Sequence, residues 1–318
     1  MKFLITGASG FIGSALVARA LRDPSLQVSA AVRHTWPSAP PAVRVLSGAE
    51  LSPDADWRAA LAGQEVVVHA AALVHVDQGP AARDLAAFRR VNVAGTLNLA
   101  RQAAAAGVRR FVFVSSIGVN GTRTYGRAFT ADSPAAPHSA YAVSKHEAEV
   151  GLRVLAARTG LEVVIVRPPL VIGPGAPGNV RRMFRVMARA LPLPLGAIRN
   201  RRSLVALDNL NDLLLRCTSH PAAVNRTFLV SDGEDLSTTE LLRRVAEALG
   251  RPARLVPVPT PLLRTCLSLL GGRELARQLC QSLQVDIRTT QQILGWSPPV
   301  TLDHAILATA QHFLHTAD

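Results

Sequence analysis

Tyr141 and Lys145 stand four residues apart in Tyr141-Ala142-Val143-Ser144-Lys145. The chain has two tyrosines, Tyr125 and Tyr141, and two lysines, Lys2 and Lys145. On a helix, positions i and i+4 share a face, so the ammonium would lie beside the phenol. That charge favours the phenolate and is expected to lower the tyrosine pKa from its reference of about 10. A phenol tuned this way exchanges a proton with an alcohol or a ketone near neutral pH. A surface helix with an incidental pair explains the same five residues, so the surrounding pattern must decide.

Ser115-Ser116 closes an apolar run from Phe111, 25 residues before Tyr141. A hydroxyl at Ser116 can hydrogen-bond the reacting oxygen while the tyrosine moves the proton. Two serines ending a strand are also ordinary. A third element sits at the start of the chain. The apolar, β-prone Lys2 to Thr6 runs into Gly7-Ala8-Ser9-Gly10-Phe11-Ile12-Gly13, and helix-forming residues follow from Ser14 to Leu21. Glycines at 7, 10 and 13 let the backbone turn tightly and approach a pyrophosphate, with a helix N-terminus aimed at the negative charge. In this strand-turn-helix setting the glycine triplet is specific.

These residues need a frame. Strand-like runs recur at βα spacing: 27–33, 43–46, 66–70, 111–115 and 163–167. Helical stretches lie between them, notably 84–106 and 139–158. This alternation predicts an α/β fold with a doubly wound parallel sheet, a Rossmann fold, whose ligands bind beyond the carboxyl ends of the strands. The character changes after Arg167-Pro168-Pro169. Glycine- and proline-rich loops at 173–178, 191–195 and 256–261 read as a smaller C-terminal lobe. The expected division is 1–168 for a dinucleotide-binding domain and 169–318 mainly for a substrate lobe. Strands at 203–207 and 227–231, within about 203–232, are expected to rejoin the first domain. The run 262–270 is amphipathic and expected to face the core rather than a membrane.

Composition removes several classes. No stretch of ~18 uncharged apolar residues is present, which speaks against integral membrane association. The N-terminus lacks a signal-peptide cleavage pattern, so the expected location is cytoplasmic. Three widely spaced cysteines (Cys217, Cys266, Cys280) suit neither a disulfide framework nor zinc, and no metal site is expected. His312 and His315 lack a third ligand. The net charge of +13 is spread along the chain and aromatics are only 4%. A nucleic-acid binder would concentrate its charge on one patch interleaved with aromatics, so none is expected as a partner. The densest cluster, Arg199-Asn200-Arg201-Arg202 with Arg181, Arg182 and Arg185 before it, could instead hold a small phosphate-bearing ligand.

Taken together, the motifs resemble the extended short-chain dehydrogenase/reductase family of nucleotide-sugar epimerases, dehydratases and ketoreductases. The resemblance runs through Gly7-x-x-Gly10-Phe11-Ile12-Gly13, His69-Ala70-Ala71-Ala72, Asn92-Val93-x-Gly95-Thr96, Ser115-Ser116, Tyr141-x-x-x-Lys145 and Arg167-Pro168-x-x-Val171-x-Gly173-Pro174-Gly175. It implies that Tyr141 is the general acid/base and that Ser116 orients the substrate oxygen. Lys145 would bind the nicotinamide ribose and tune Tyr141. Gly7, Ser9, Gly10, Phe11, Ile12 and Gly13, with Ala70, Ala71, Ala72, Asn92 and Pro168, would line the cofactor. Asn120, Asn179, Arg202 and Arg277 would contact a UDP-sugar. A homodimer through the long helices at 84–106 and 139–159 is also implied.

Departures narrow the reaction. The 4,6-dehydratases of this family carry an Asp-Glu pair where this chain has Ile117 and Gly118, so the elimination step lacks its acids. No carboxylate ends the second strand, where Arg33 stands instead. An acid there would bind the ribose 2′-hydroxyl of NAD, whereas Arg33 could pair with a 2′-phosphate. NADP(H) is favoured and NAD(H) stays open. The resemblance is closest to 4-ketoreductases that complete UDP-N-acetylquinovosamine from a UDP-2-acetamido-2,6-dideoxy-4-keto-hexose for surface polysaccharide such as O-antigen. A UDP-glucose or UDP-N-acetylglucosamine 4-epimerase that retains its NAD uses the same residues. A non-catalytic nucleotide sensor is a third reading on the same fold.

Overall fold

The structure is a computed structural model and describes residues 1–74 and 84–316. Its strands, in chain order, are β1 (Lys2–Thr6), β2 (Gln27–Ala31), β3 (Arg44–Leu46), β4 (Val66–His69), β5 (Arg110–Val114), β6 (Glu162–Arg167), β7 (Leu170–Ile172), β8 (Arg202–Ala206), β9 (Thr227–Leu229) and β10 (Asp235–Leu236). Seven form one sheet in the order β3-β2-β1-β4-β5-β6-β9, and every neighbouring pair is parallel. Strand order reverses between β1 and β4. A doubly wound sheet opens its ligand crevice at that point.

The helices are α1 (Phe11–Ala20), α2 (Arg58–Leu61), α3 (Leu85–Phe88), α4 (Thr96–Ala105), α5 (Ala140–Thr159), α6 (Gly178–Ala188), α7 (Leu207–Ser219), α8 (Thr238–Ala248), α9 (Thr260–Leu269), α10 (Arg273–Cys280), α11 (Arg288–Leu294) and α12 (Leu302–Thr316). A π-helical turn, Arg89–Gly95, joins α3 to α4. Side chains alternate across the sheet and divide the core in two. Phe3, Ile5, Val66, Val68 and Val112 pack under Leu16 and Val17 of α1 and Leu210, Leu213 and Leu214 of α7. Leu4, Val67, Phe111, Phe113 and Ile165 face the other way, under Leu99 of α4 and Ala148 and Leu152 of α5. Each fully buried Leu or Phe contributes roughly 1.5–3 kcal/mol. The helices that carry the chemistry are therefore pressed onto the strands that end beneath it.

A second sheet, β10-β8-β7, underlies the C-terminal lobe. Its core joins Ile172, Leu204 and Leu236 to Phe184 of α6, Leu241 and Val245 of α8, and Ile306 of α12. Of the two late strands, β9 pairs with β6 in the main sheet, whereas β8 pairs with β7 and β10 in the small one.

One expectation is overturned here. The run 262–270 forms α9, but Leu262, Leu269 and Leu270 point outward, and only Leu263 is buried. Among the described residues no element covers these three leucines. Among the described residues no helix is long and apolar enough to cross a membrane. No three His, Cys, Asp or Glu side chains among them converge on a metal-sized site. Cys217, Cys266 and Cys280 are all free thiols.

Candidate active site

The turn after β1 can be made only by glycine at two points. Gly7 has φ +67, and a Cβ there would lie 2.7 Å from the Ala71 nitrogen. A Cβ on Gly13 would sit 2.1 Å from the Gly7 carbonyl oxygen. The loop is thereby drawn against the Ala70–Ala71 backbone at the end of β4, with the N-terminus of α1 opening above it. Ser9 and Gly10 are exposed, and Phe11 and Ile12 are half-buried in the first turn of α1. Bare backbone N–H groups at a helix N-terminus fit a pyrophosphate. The cradle that side chains would fill is the observation that makes a dinucleotide fit here.

Beneath the loop, buried His69 bridges two hydroxyls. Its Nδ1 lies 2.6 Å from Thr6 Oγ1 and its Nε2 2.9 Å from Thr96 Oγ1. Burial, helped by the Lys145 charge, pushes its pKa well down, so the ring is neutral. This brace between β1, β4 and α4 was not singled out from sequence.

Ser139 caps α5, its Oγ accepting from the Ala142 N–H at 3.1 Å. The cap sets the phase of the helix, and Tyr141 and Lys145 follow on one face. Lys145 is buried. Its Nζ donates to the Val114 carbonyl at 2.8 Å, at the end of β5. It also lies 4.4 Å from the Phe113 ring centre and 5.9 Å from that of Tyr141. Phe88 of α3 meets Tyr141 edge-on, with ring centres 6.3 Å apart.

The sequence-based sign for the tyrosine is reversed. Burial raises the Tyr141 phenol to about 12. It depresses the Lys145 amine to about 7, with the charge of Glu149 opposing. Spacing placed the two groups on one face as expected. Desolvation then disfavours the charged form of each.

Ser116 stands at the mouth of β5 in extended backbone, φ −157, and its Oγ accepts from the Gly118 N–H at 3.1 Å. A Cβ on Gly118 would lie 3.3 Å from both Ser116 Oγ and Ala142 Cβ. The missing side chain lets the serine turn sit directly against the first turn of α5. The Ile117 N–H donates to the Pro168 carbonyl at 2.9 Å, which joins this turn to the end of β6. The glycine loop, Ala70–Ala72, Ser116, Pro168 and the Tyr141/Lys145 pair thus share the carboxyl end of one sheet.

Other expected residues have different surroundings. Asn92 is buried and braced by protein. Its Oδ1 accepts from Leu73 N at 2.8 Å, and its Nδ2 donates to the Leu73 carbonyl and to Ser144 Oγ, both at 3.0 Å. It pins the β4 loop to α5. Asn120 is buried too, with its Oδ1 accepting from Arg167 Nη1 at 3.0 Å and its Nδ2 donating to the Ser133 carbonyl at 3.2 Å. Arg33 is exposed past β2, its Nε 3.0 Å from His34 Nε2. Asn179 is exposed in the first turn of α6. Arg202 begins β8 and donates to the Gln278 carbonyl at 2.7 Å. Arg277 is exposed on α10, 3.6 Å from Glu274.

Glu149 is the residue that sequence reading passed over. It is buried on α5, one turn beyond Lys145. It accepts from Ser115 Oγ at 2.6 Å and from Arg167 Nε at 2.8 Å. The signal was present, since positions 141, 145 and 149 repeat every four residues along one helix face.

The chemistry this arrangement supports is a proton moved at an alcohol or ketone oxygen beside a bound dinucleotide. Comparison with known proteins agrees. The chain is 42% identical over 320 residues to the UDP-glucose 4-epimerase of Vibrio cholerae, covering 98% of this chain and 95% of that one. The crystal structure of UDP-glucuronic acid 4-epimerase from Bacillus cereus in complex with NAD superposes with a TM-score of 0.81 at 19% identity, covering both chains fully. DesIV, a dTDP-glucose 4,6-dehydratase from Streptomyces venezuelae solved with NAD, gives 0.80 at 26% identity, covering 99% of this chain and 97% of that one. The family model for NAD dependent epimerase/dehydratase matches residues 3–231, a span that holds the glycine loop, Ser116, Tyr141 and Lys145 alike. On that match and the identity across nearly the whole chain, this protein belongs to the NAD dependent epimerase/dehydratase family.

Proposed function

We propose that the protein is a UDP-hexose 4-epimerase. The observation that carries this reading is the 42% identity over 98% of the chain to a UDP-glucose 4-epimerase. NAD, when bound, supplies reversible hydride transfer at the sugar C4. The glycine loop would hold its pyrophosphate. Ser116 would hydrogen-bond the C4 oxygen and fix it against Tyr141. Tyr141 would take the proton of the C4 hydroxyl and return it after the ring has turned over. Lys145, between the Val114 carbonyl and the Phe113 ring, would meet the ribose and supply positive charge when Tyr141 ionises. Ile117 and Gly118 offer no acid or base, so nothing at those positions assists loss of a C6 hydroxyl.

One observation favours a second reading, the 4-ketoreductase. No carboxylate follows β2, and Arg33 stands exposed there. A 2′-phosphate suits that arginine better than a 2′-hydroxyl does. In that case NADPH would be consumed once per turnover and UDP-N-acetylquinovosamine would be one product class. The purified protein separates the readings. Interconversion of UDP-glucose and UDP-galactose without added reductant supports the epimerase. Stoichiometric NADPH oxidation with a UDP-4-keto sugar, and no epimerisation, overturns it in favour of the reductase.

A homodimer and a cytoplasmic setting in surface-polysaccharide synthesis belong to this reading. Support for the dimer is a groove of about 650 Å³ between α4 and α5, floored by Val93, Leu97 and Val154 and rimmed by Arg89, Arg101 and Arg158.

A further inference from the structure

The hairpin made by α9 and α10 turns apolar side chains to solvent. Leu262, Cys266, Leu269 and Leu270 recur at i, i+4, i+7 and i+8, so they share one face of α9 and its C-terminal turn. Leu262 is 55% exposed, Leu269 83% and Leu270 84%. Buried Leu263 flanks this face, seven residues before Leu270, and α9 packs on α10. Gly271 and Gly272 turn the chain, and α10 adds exposed Leu275. Contiguous apolar surface of this kind marks a binding face.

Charge says what it binds. Arg251, Arg254, Arg264, Arg273 and Arg277 fall within 251–280 and all are exposed, while Glu274 is the only acid there. The segment is net +4. Exposed leucines on a hairpin whose segment also carries five exposed arginines form the pattern of an element that lies in a membrane interface and draws on anionic headgroups. Two such hairpins would repel each other, which disfavours a second copy as the occupant. At ten and eight residues, α9 and α10 are too short to span a bilayer of about 30 Å.

We propose that the α9–α10 hairpin docks this protein on an anionic phospholipid surface, with Leu262, Leu269 and Leu270 in the acyl boundary and the arginines at the headgroups. The hairpin is rooted on the C-terminal lobe. Asn200 Nδ2 donates to the Leu279 and Gln281 carbonyls at 3.2 and 2.9 Å, and Thr260 Oγ1 donates to the Ala197 carbonyl at 3.2 Å. Docking therefore lays the 197–202 segment, and the lobe it belongs to, beside the membrane. This inference is independent of which sugar is turned over.

The test is sedimentation of the full-length protein with vesicles of phosphatidylglycerol and phosphatidylethanolamine, against vesicles of phosphatidylcholine alone. Binding to the anionic vesicles is expected, falling as salt is raised. Leu269→Glu with Leu270→Glu should weaken it at least tenfold while leaving turnover in solution unchanged, because both side chains are exposed on the C-terminal lobe. Arg264→Gln with Arg273→Gln should weaken it several-fold. Three results would overturn the proposal. One is no binding to anionic vesicles at low salt. The second is binding that the double leucine variant retains in full, which would assign it to the general +13 charge. The third is a loss of mass in light scattering when the leucines are replaced, which would mean that another copy covers the face.

Discussion

Arg167 grips both carboxylate oxygens of Glu149 where water does not reach, one helical turn beyond Lys145. Ser115 at the end of β5 and Asn120 after it join the same network. The pair thus ties α5, β5 and β6 together beneath Tyr141. Breaking a buried ion pair from one side leaves an uncompensated charge. Glu149→Gln is expected to cost about 3 kcal/mol or more in urea unfolding. Burial alone would raise the Glu149 carboxyl, but hydrogen bonds and charge from Arg167, then Ser115 and Arg153, hold it below the ordinary value. Its contribution is therefore complete above the unfolded carboxyl pKa and is lost as pH falls through the lower folded one. Equal stability of the variant and the wild type at pH 7 would remove the pair from this role.

Lys145 gives a pH dependence of the same sign in a more alkaline window. Its folded pKa of about 7 lies under the ordinary 10.5. Between those values the unfolded chain holds a proton that the folded one does not, so stability rises with pH across that window. Lys145→Met removes the effect. Compared with the variant, the wild type should gain on the order of a few kcal/mol between pH 6 and pH 10. Parallel stability curves for the two proteins would contradict the buried, neutral-leaning amine.

Tyr141 can be watched directly because Tyr125 is its only companion. In a Tyr125→Phe protein, ultraviolet titration should show one phenol ionising near 12 in the absence of cofactor. NAD brings a positive ring beside it and should lower that value. An unliganded titration below 10 would mean that the lysine, not burial, sets the phenol. Tyr141→Phe should keep nucleotide binding and lose turnover by about 10²–10⁴-fold, the usual contribution of a positioned acid/base.

These residues also show what the sequence could convey. The parallel sheet was legible because apolar strands and helices alternate locally. The glycine loop was legible because its constraint lies within seven residues. The shared face of Tyr141 and Lys145 followed from helix geometry, but their pKa directions did not. Burial depends on Phe88, Phe113 and the Val114 carbonyl, which arrive from other elements. Glu149 was readable as a helix neighbour, yet its partner Arg167 comes from β6 and only folding unites them. The leucines of α9 carry the same lesson. Periodicity fixes which side chains share a face and is silent on what lies opposite.

Gly13 offers a strict test of the dinucleotide cradle. Ala at this position would put Cβ 2.1 Å from the Gly7 oxygen, a backbone atom that cannot swing aside. The loop must open, and the α1 N-terminus must move off the pyrophosphate position. Gly13→Ala should weaken NAD binding at least tenfold by calorimetry, with a smaller loss of thermal stability. Gly126→Ala is the control, since a Cβ there meets nothing within 4 Å, although its φ of +70 adds local strain. Tight NAD binding by the Gly13 variant would mean that the pyrophosphate lies elsewhere.

The groove between α4 and α5 bears on assembly. Val150 and Val154 lie one turn apart on α5, each 46% exposed, next to Gly151, where a Cβ would come within 2.7 Å of Leu97. That close approach of the two helices leaves a partly apolar face suited to meeting its own two-fold copy. Arg89, Arg101 and Arg158 already rim it. Val150→Arg with Val154→Arg would add like charges facing each other across the axis. The wild type is expected to scatter light as a dimer at micromolar concentration and the variant as a monomer. Retention of the dimer by the variant would move the interface to another face, and a monomeric wild type would leave this one without a partner of its own kind.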